Sequence, residues 1–321
     1  MKLHIISFCQ DEEATIAEMI QRVPRDIPKI SGIKITVIDD GSKDSTATVA
    51  ENAGANVLKD GAHKGLAYRF REAVEYVLAD GADIMVNIDG DLQFAPEDIP
   101  KLVAPIVEGR ADFVAADRFA DATTGKNRRP KHMPLMKFYG NKLGARVVSS
   151  LSGEKFNDVT CGFRAYNQNA LIALNINGKM TYTQESFQVL AAKKLRIETV
   201  PITVKYFKGR QSRVVTSTTK FIGLSALNIL RAFRDFAPMK FFLLLGAIPG
   251  AIGLFCLIFI LSHYLEAGMF SPYKYVALAG VYLTSVGLFL WGIGLMADML
   301  ARVLNNQEKI YEHLRREKLN R

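Results

Sequence analysis

Disulfide chemistry is the first thing this sequence lacks. Its 321 residues hold three cysteines, Cys9, Cys161 and Cys256, far apart and none in a CxxC pair. An odd and scattered set excludes a disulfide framework and a thiolate zinc site, and it fits a reducing compartment. Histidine is scarce as well, with five residues; His63 and His132 have no partner at metal-ligand spacing and read as exposed loop residues. Acid is in the minority, with 32 Asp and Glu against 41 Lys and Arg, a formal net charge of +9. That balance suits an acidic partner: nucleic acid, a phosphorylated ligand or an anionic membrane surface. There is no internal repeat. The first residues, MKLHIISFCQDEE, run from a short apolar stretch straight into acid, which reads as a first β-strand and not as a secretory signal. The apolar share of 49% is enough for a sizeable buried core.

What the chain does have is two long charge-free runs near its C-terminal end. Residues 241–261 and 276–297 carry no Asp, Glu, Lys or Arg over 21 and 22 positions. At a rise of about 1.5 Å per residue, each is long enough for a hydrocarbon core about 30 Å thick. Pro249 falls inside the first run, where a bilayer helix tolerates a kink. The connector, residues 262–275, holds one Lys and no Arg, whereas Arg231, Arg234 and Lys240 precede the first run and Arg302, Lys309, Arg315, Arg316, Lys318 and Arg321 follow the second. The positive-inside rule then puts the large N-terminal domain and the C-terminal tail in the cytoplasm. Tyr264, Tyr273, Tyr275 and Trp291 are candidate interfacial anchors, although Trp291 lies well inside its run. Upstream, Phe221, Leu224, Leu227, Leu230 and Phe233 recur every three residues with Lys220, Arg231 and Arg234 off the stripe. This fits a helix lying in the membrane interface as well as one packed on the domain.

The first 206 residues alternate β-rich runs with helical stretches. Candidate strands are residues 3–8, 33–38, 84–88, 113–116 and 197–204; candidate helices are 12–22, 45–52, 65–79 and 96–108. Asp44 is a plausible N-cap and Pro96 suits a first helical turn. The alternation predicts an α/β fold, a mostly parallel sheet with helices on both faces, whose ligands bind beyond the carboxyl ends of the strands. Two acidic motifs fall there. Asp39 and Asp40, in VIDDGS, close the second strand and can accept hydrogen bonds from a base or ribose. Asp89 and Asp91, in NIDGDLQ, bracket Gly90 so that both carboxylates can turn to one point, with Gln93 nearby. Hard oxygen ligands of this kind suit Mg²⁺ or Mn²⁺ on a diphosphate. Residues 120–132 form a polar loop rich in cations.

These motifs together resemble family-2 glycosyltransferases of the GT-A (Rossmann-like) fold, of the polyprenyl-phosphate type that includes dolichol-phosphate mannose synthase. The likeness rests on DEEATI from Asp11, DDGSKDST from Asp39, Lys64-Gly65, DGDLQ from Asp89, residues 112–119, DVTCGFRAY from Asp158, Gln184-Glu185 and Val200-Pro201-Ile202. It implies a catalytic domain over 1–215, juxtamembrane interfacial helices over 216–240, transmembrane helices over 241–261 and 276–300, a short non-cytoplasmic loop over 262–275 and a charged cytoplasmic tail over 301–321. It further implies that Glu12, Asp39, Asp40, Lys64 and Asp89 meet the nucleotide sugar. Arg210 and Arg213 would close over its phosphates, and Asp89, Asp91 and Gln93 would hold the metal. Arg118 would reach the acceptor phosphate, with Arg128, Arg129, Lys131 and Lys137 supplying further positive charge. Asp158 and Glu185 are the candidate bases; for Asp158 an ion pair with Arg164 or another cation is the competing reading. Cys161 reads as a buried structural thiol. Two departures, FCQD from Phe8 and Gly61-Ala62-His63 before Lys64-Gly65, affect the base pocket and leave UDP and GDP both open.

The implied reaction is inverting transfer of a hexose from a nucleotide-diphosphate sugar to undecaprenyl or dolichyl phosphate. A phosphate monoester has its second pKa near 6 and needs little help from a base, so managing the charge of two anions is the larger task. The expected partners are the nucleotide sugar, the polyprenyl phosphate, the membrane and, as an option, a second copy of the chain. Nucleic acid is not among them, because the cations do not sit on an aromatic platform. The rivals are a transferase acting on a lipid-linked glycan or a protein, and a non-catalytic nucleotide-sugar scaffold. A processive polysaccharide synthase would carry a QxxRW motif, and the sole Trp, Trp291, lies in an apolar run instead.

Overall fold

A computed structural model describes residues 1–121, 128–176, 182–206, 230–231, 233–235 and 237–319. The chain divides into two compact units, Met1–Thr218 with Glu312–Arg321, and Thr219–Tyr311. Lys126, Arg210, Arg213 and most of the expected interfacial stripe lie outside the described residues.

In the first unit the elements run β1 (Lys2–Cys9), α1 (Ile16–Gln21), β2 (Gly32–Asp39), α2 (Thr46–Asn52), β3 (Asn56–Lys59), α3 (Leu66–Ala79), β4 (Ile84–Asn87) and α4 (Ile99–Val107). They continue as β5 (Phe113–Asp117), α5 (Leu135–Ser152), β6 (Arg164–Asn167), α6 (Gln168–Ala173), α7 (Thr183–Ala192) and β7 (Ile197–Pro201). The seven strands form one sheet in the order β3-β2-β1-β4-β6-β5-β7. All pairings are parallel except those of β6, which runs antiparallel to β4 and β5.

Both faces of the sheet are covered, and the period of two explains how. Leu3 and Ile5, Ile35 and Val37, Ile84 and Val86, and Val114 and Ala116 point to one side, where Ile16, Met19, Ala50, Leu102 and Val103 of α1, α2 and α4 meet them. Ile6, Ile38, Met85, Phe113 and Ala115 point to the other, against Phe70, Val74 and Val77 of α3, Val148 of α5, and Leu171 and Leu190 of α6 and α7. Strands buried on both faces read as near-continuous apolar runs; β4 does so, whereas β1 and β2 interrupt the run with His4 and Ser7 and with Lys34 and Thr36, of which His4 and Thr36 are hydrogen-bonded to each other at 2.8 Å. Pro96 opens a short 3₁₀ turn, Pro96–Asp98, that leads into α4. Ser45 holds the N-cap position of α2, while Asp44 accepts from the Thr46 amide at 3.0 Å.

The chain's last turns also belong to this unit. The Arg315 guanidinium donates to the carbonyls of Ile172 and Leu174 at 3.1 and 2.7 Å, at the C-terminal end of α6, and pairs with Glu75 of α3. A cation there satisfies carbonyls that the helix leaves without partners. Glu312 pairs with Lys193 at 2.7 Å, and Leu319 packs on the apolar cluster under α3. The tail expected to carry only charge therefore anchors itself by side-chain hydrogen bonds.

The second unit contains α8 (Pro238–Ala267) and most of α9 (Lys274–Leu319). Both are long and apolar enough to cross a membrane, with mean hydropathy 2.5 and 1.9 over their best windows. They meet through glycine. After Pro238 at its start, the buried positions along α8 are Gly246, Gly253 and Ile260, and those along α9 are Gly280, Gly287 and Gly294. A Cβ on Gly287 would lie 2.8 Å from the Gly246 carbonyl oxygen, so the backbones approach as closely as small residues allow. Trp291, expected as an interfacial anchor, instead donates its indole N–H to the Leu243 carbonyl at 3.2 Å.

Candidate active site

The carboxyl ends of β1, β2, β4 and β5 carry the acidic and basic residues singled out above. Loops after β1 and β2 are stitched together first. The Asp11 amide donates to the Ser42 hydroxyl at 2.9 Å, the Lys43 amide to Asp11 at 2.7 Å, and the Glu12 amide to Thr46 at 2.7 Å. Asp39 accepts from the Ser42 amide at 3.0 Å. Asp11 takes a positive φ of 53° to make this turn. Gly41, at φ 78°, passes the 62–63 backbone so closely that a Cβ there would sit 2.9 Å from the His63 nitrogen.

Asp40 is engaged from four directions. Its carboxylate accepts from the Lys64 amide at 2.8 Å, from the Gly65 amide at 3.0 Å and from Arg69 Nε at 2.9 Å, and His63 Nδ1 lies 2.9 Å away. Arg69, on the apolar stripe of α3 and only 2% exposed along its side chain, also meets Asp60 at 2.6 Å, Glu72 at 2.9 Å and the Ala62 carbonyl at 2.6 Å. The Lys64 ammonium lies on Asp60 and over the Tyr68 ring. Thus Asp40 and Lys64 fix the loop before α3.

Asp89 and Asp91 follow β4. A Cβ on Gly90 between them would come within 2.6 Å of Cys9 Sγ, so a larger residue there would have to push the buried thiol aside. Gln93 donates to Asp91 through both its amide, at 3.0 Å, and its side chain, at 2.7 Å, which orients that carboxylate. Gly162 abuts Asp89, where a Cβ would stand 3.3 Å from Oδ2. Among the described residues no three His, Cys, Asp or Glu converge as a complete metal cage. The donor set nevertheless fits a hard divalent cation: two carboxylates from the protein, with the remaining positions left to ligand oxygens and water, is how Mg²⁺-type ions are held on diphosphates.

A bidentate pair follows β5. Arg118, at the end of β5, donates Nε to Asp158 Oδ2 at 2.6 Å and Nη2 to Oδ1 at 2.9 Å. Nη2 also reaches the Thr160 hydroxyl at 2.7 Å. Burial works to push the Asp158 carboxyl up and the Arg118 guanidinium down. Their mutual attraction outweighs it, leaving Asp158 below the usual carboxylate range and Arg118 above its ordinary value. Lys137, in the first turn of α5, is lowered by burial and by Arg118, while Asp158 and Asp91 act to raise it. Its ammonium therefore lies within electrostatic reach of both the Arg118–Asp158 pair and the acidic loop.

Arg164 shapes the segment that carries Asp158. It is fully buried on β6 and donates to the carbonyls of Cys161 and Val159 at 2.6 and 3.0 Å, with its guanidinium over the rings of Phe113, Tyr182 and Phe187. Asn87 adds bonds to the Gly162 carbonyl and to the Tyr182 hydroxyl. Burial pushes the Cys161 thiol up to about 12, so it is inert, as expected of a structural cysteine.

Residues 4–174 match the profile of Glycosyl transferase family 2, which is more than half of the chain. The chain belongs to this family. Among relatives, this transferase is 28% identical to glycosyltransferase AglJ from Haloferax volcanii over 97% of both chains. It is 29% identical to UDP-N-acetylglucosamine–dolichyl-phosphate N-acetylglucosaminyltransferase from Methanococcus voltae, over 61% of this chain and 84% of the relative. Its fold is that of glucosyl-3-phosphoglycerate synthase from Mycobacterium tuberculosis, solved with Mn²⁺, UDP and product, at TM-score 0.53 and 18% identity over 71% and 79% of the two chains. The GT-A-like architecture and the glycosyltransferase class expected from the motifs are thereby established.

In the transferase Glu12, Asp39 and Asp89 all lie within electrostatic reach of the buried Cys9, Gln93 bonds Asp91, and Arg118, Asp158 and Asp91 lie within reach of Lys137. Glu185 is half-buried in the first turn of α7. Arg128 and Arg129 are exposed; one pairs with Asp121 at 3.3 Å, and the other donates to the Met133 carbonyl at 3.0 Å. Lys131 is exposed too. The partner of Asp158 is Arg118 and not Arg164, whose guanidinium is taken up by the Cys161 and Val159 carbonyls. Arg69, Asn87, Thr160 and Tyr182 have no assigned role in the sequence reading, and Arg164 has only that of a competing partner for Asp158. A cation on an otherwise apolar helical stripe was the available signal for Arg69.

Proposed function

We propose that this transferase moves a hexose from a UDP- or GDP-linked sugar to a polyprenyl phosphate, with inversion, at the cytoplasmic face of a membrane. The observation that carries the proposal is the bidentate Arg118–Asp158 pair with Lys137 beside it, whose ammonium also lies within electrostatic reach of Asp91. A bound Mg²⁺ or Mn²⁺ would neutralise the diphosphate that leaves. Asp89 and Asp91 hold that end of the donor. Arg118 and Lys137 bind the acceptor phosphate, whose oxygen is already a nucleophile near neutrality, with a second pKa of about 6. Asp158 is a positioning residue in this scheme: its lowered pKa makes it a weak base, and its bidentate bond aims the guanidinium. Glu185 is the remaining candidate base.

A dolichyl-phosphate acceptor in a relative that matches 61% of this chain supports the lipid phosphate. The two long apolar helices and the cation-poor connector support a membrane protein with both the catalytic unit and the C-terminus cytoplasmic. Purified full-length protein with Mn²⁺, a panel of radiolabelled nucleotide sugars and polyprenyl phosphate should give butanol-extractable label, of inverted anomeric configuration by NMR. In Asp91→Ala the rate should fall by at least about a hundredfold. Label found only on a glycan or a protein overturns the reading.

A further inference from the structure

The first two turns of α5 turn apolar side chains outward. Leu135, Tyr139 and Leu143, spaced by four, are 57%, 65% and 56% exposed, and Met136 beside them is 58% exposed. The opposite face of the same helix carries Asn141, Ala145 and Val148, all buried in the domain. Four large exposed apolar residues on one helical face are unusual for a surface in water. Their surroundings are cationic. Residues 128–153 hold six Lys and Arg and no Asp or Glu. Of these, Arg128, Arg129, Lys131 and Arg146 are exposed, and Arg146 lies on the apolar face itself, one turn beyond Leu143.

We infer that the Leu135–Tyr139–Leu143 face of α5 is a membrane-docking surface that seats on an anionic lipid bilayer. An apolar stripe with a basic border is the pattern of helices that lie in the headgroup region, where the side chains leave water and the cations meet lipid phosphates. The charge pattern disfavours a second copy of the chain, because a two-fold interface would bring the same cation-rich, acid-free segments together. The inference goes beyond the proposed reaction and stands whichever sugar or acceptor is used. It gives α5 two tasks: Lys137 faces the site, and the outer stripe holds that cation at the depth where lipid phosphates lie.

The test uses the full chain in nanodiscs. With Cys256→Ala to remove background labelling, Tyr139→Cys and Leu143→Cys each carry an environment-sensitive fluorophore, and Glu51→Cys on α2 serves as the water-facing control. In discs containing anionic lipid, nitroxide lipids labelled at the headgroup or high on the acyl chain should quench the α5 probes about threefold more than the control, and aqueous iodide should quench them less. Equal quenching of all three positions by lipid and by iodide overturns the inference. So does protection from iodide without quenching by lipid, which would mean that protein covers the face. Quenching that appears only on adding polyprenyl phosphate would assign the face to the acceptor chain and overturn the bilayer. Because nothing in the readout requires sugar transfer, an inactive preparation leaves this test intact.

Discussion

Two buried arginine–carboxylate pairs stand at the carboxyl edge of the same sheet, and they are built for opposite purposes. At the end of β2, Arg69 is surrounded by Asp40, Asp60 and Glu72, and a carbonyl takes one of its remaining N–H groups. Its carboxylates outnumber it, so the cluster has no positive charge to offer a ligand; it locks the loop that precedes α3. At the end of β5, Arg118 has Asp158 as its one carboxylate among the described contacts, with hydroxyls of Thr160 and Tyr206 for the rest and Lys137 close by. That cluster keeps positive charge within reach of Asp91. The difference teaches that the count of counter-charges, not the burial of an arginine, decides whether it is scaffold or anion receptor.

The largest effect should come from breaking the sparser pair. In Asp158→Asn, Arg118 loses its one carboxylate partner among the described residues, in a buried setting, and loss of one member of such a pair costs about 3–5 kcal/mol. Thermal melts of the detergent-solubilised chain, followed by circular dichroism, should show it. The sign with pH follows from the lowered pKa of Asp158. A carboxyl depressed in the fold stabilises above its unfolded pKa of about 4, and that contribution is lost as pH falls through the folded value. The deficit of Asp158→Asn should therefore be constant from pH 8 to pH 5, as roughly expected from that pKa, and shrink below about pH 4. A deficit that grows on acidification would reverse the assignment.

A second change converts one cluster into the other. Thr160→Asp would give Arg118 a second carboxylate, as Arg69 has, at a position whose hydroxyl already lies 2.7 Å from the guanidinium. The acceptor KM should rise by about tenfold to a hundredfold, on the order of 1.4–2.7 kcal/mol, while the donor KM stays put. Thr160→Asn, neutral and of the same shape, should raise it far less. If both variants behave alike, sterics and not charge governs the Arg118 cluster.

Much of this was legible before any coordinates. Runs such as LHIISF, IKITVI and IMVNI carry apolar residues on both sides of the pleat because β1, β2 and β4 are covered on both faces, and each is followed within three residues by an acid of the candidate site. The charge-free runs declared the two long helices. Other parts carry no local signal. β3 is four residues at a sheet edge, and β6 is four residues, RAYN, that include a fully buried arginine. A short strand with a polar reading is recognised only through its neighbours. Asp158 finds Arg118 across forty residues of chain, and Asp40 finds Arg69 across twenty-nine. Neither separation is a helical or strand period, so each pairing appears only once the sheet has formed. The role of Asp40 shows the consequence: its motif points to a nucleotide, whereas its hydrogen bonds hold the chain's own loop.

The smallest effect belongs to the crowded cluster, and its smallness is the test. Glu72 meets Arg69 at 2.9 Å across one turn of α3, but its side chain is 38% exposed. In Glu72→Gln the amide oxygen can still accept that hydrogen bond, and Arg69 retains Asp40 and Asp60, so no uncompensated charge is left in the interior. A half-exposed ion pair contributes about 0–1 kcal/mol. The melting temperature should consequently move by no more than about 2–4 °C, the shift that 1 kcal/mol produces in a domain of this size, with both KM values unchanged. A loss approaching that of Asp158→Asn would mean that Arg69 depends on every one of its carboxylates. The redundancy that separates the β2 cluster from the β5 cluster would then be a matter of geometry alone, without energetic meaning.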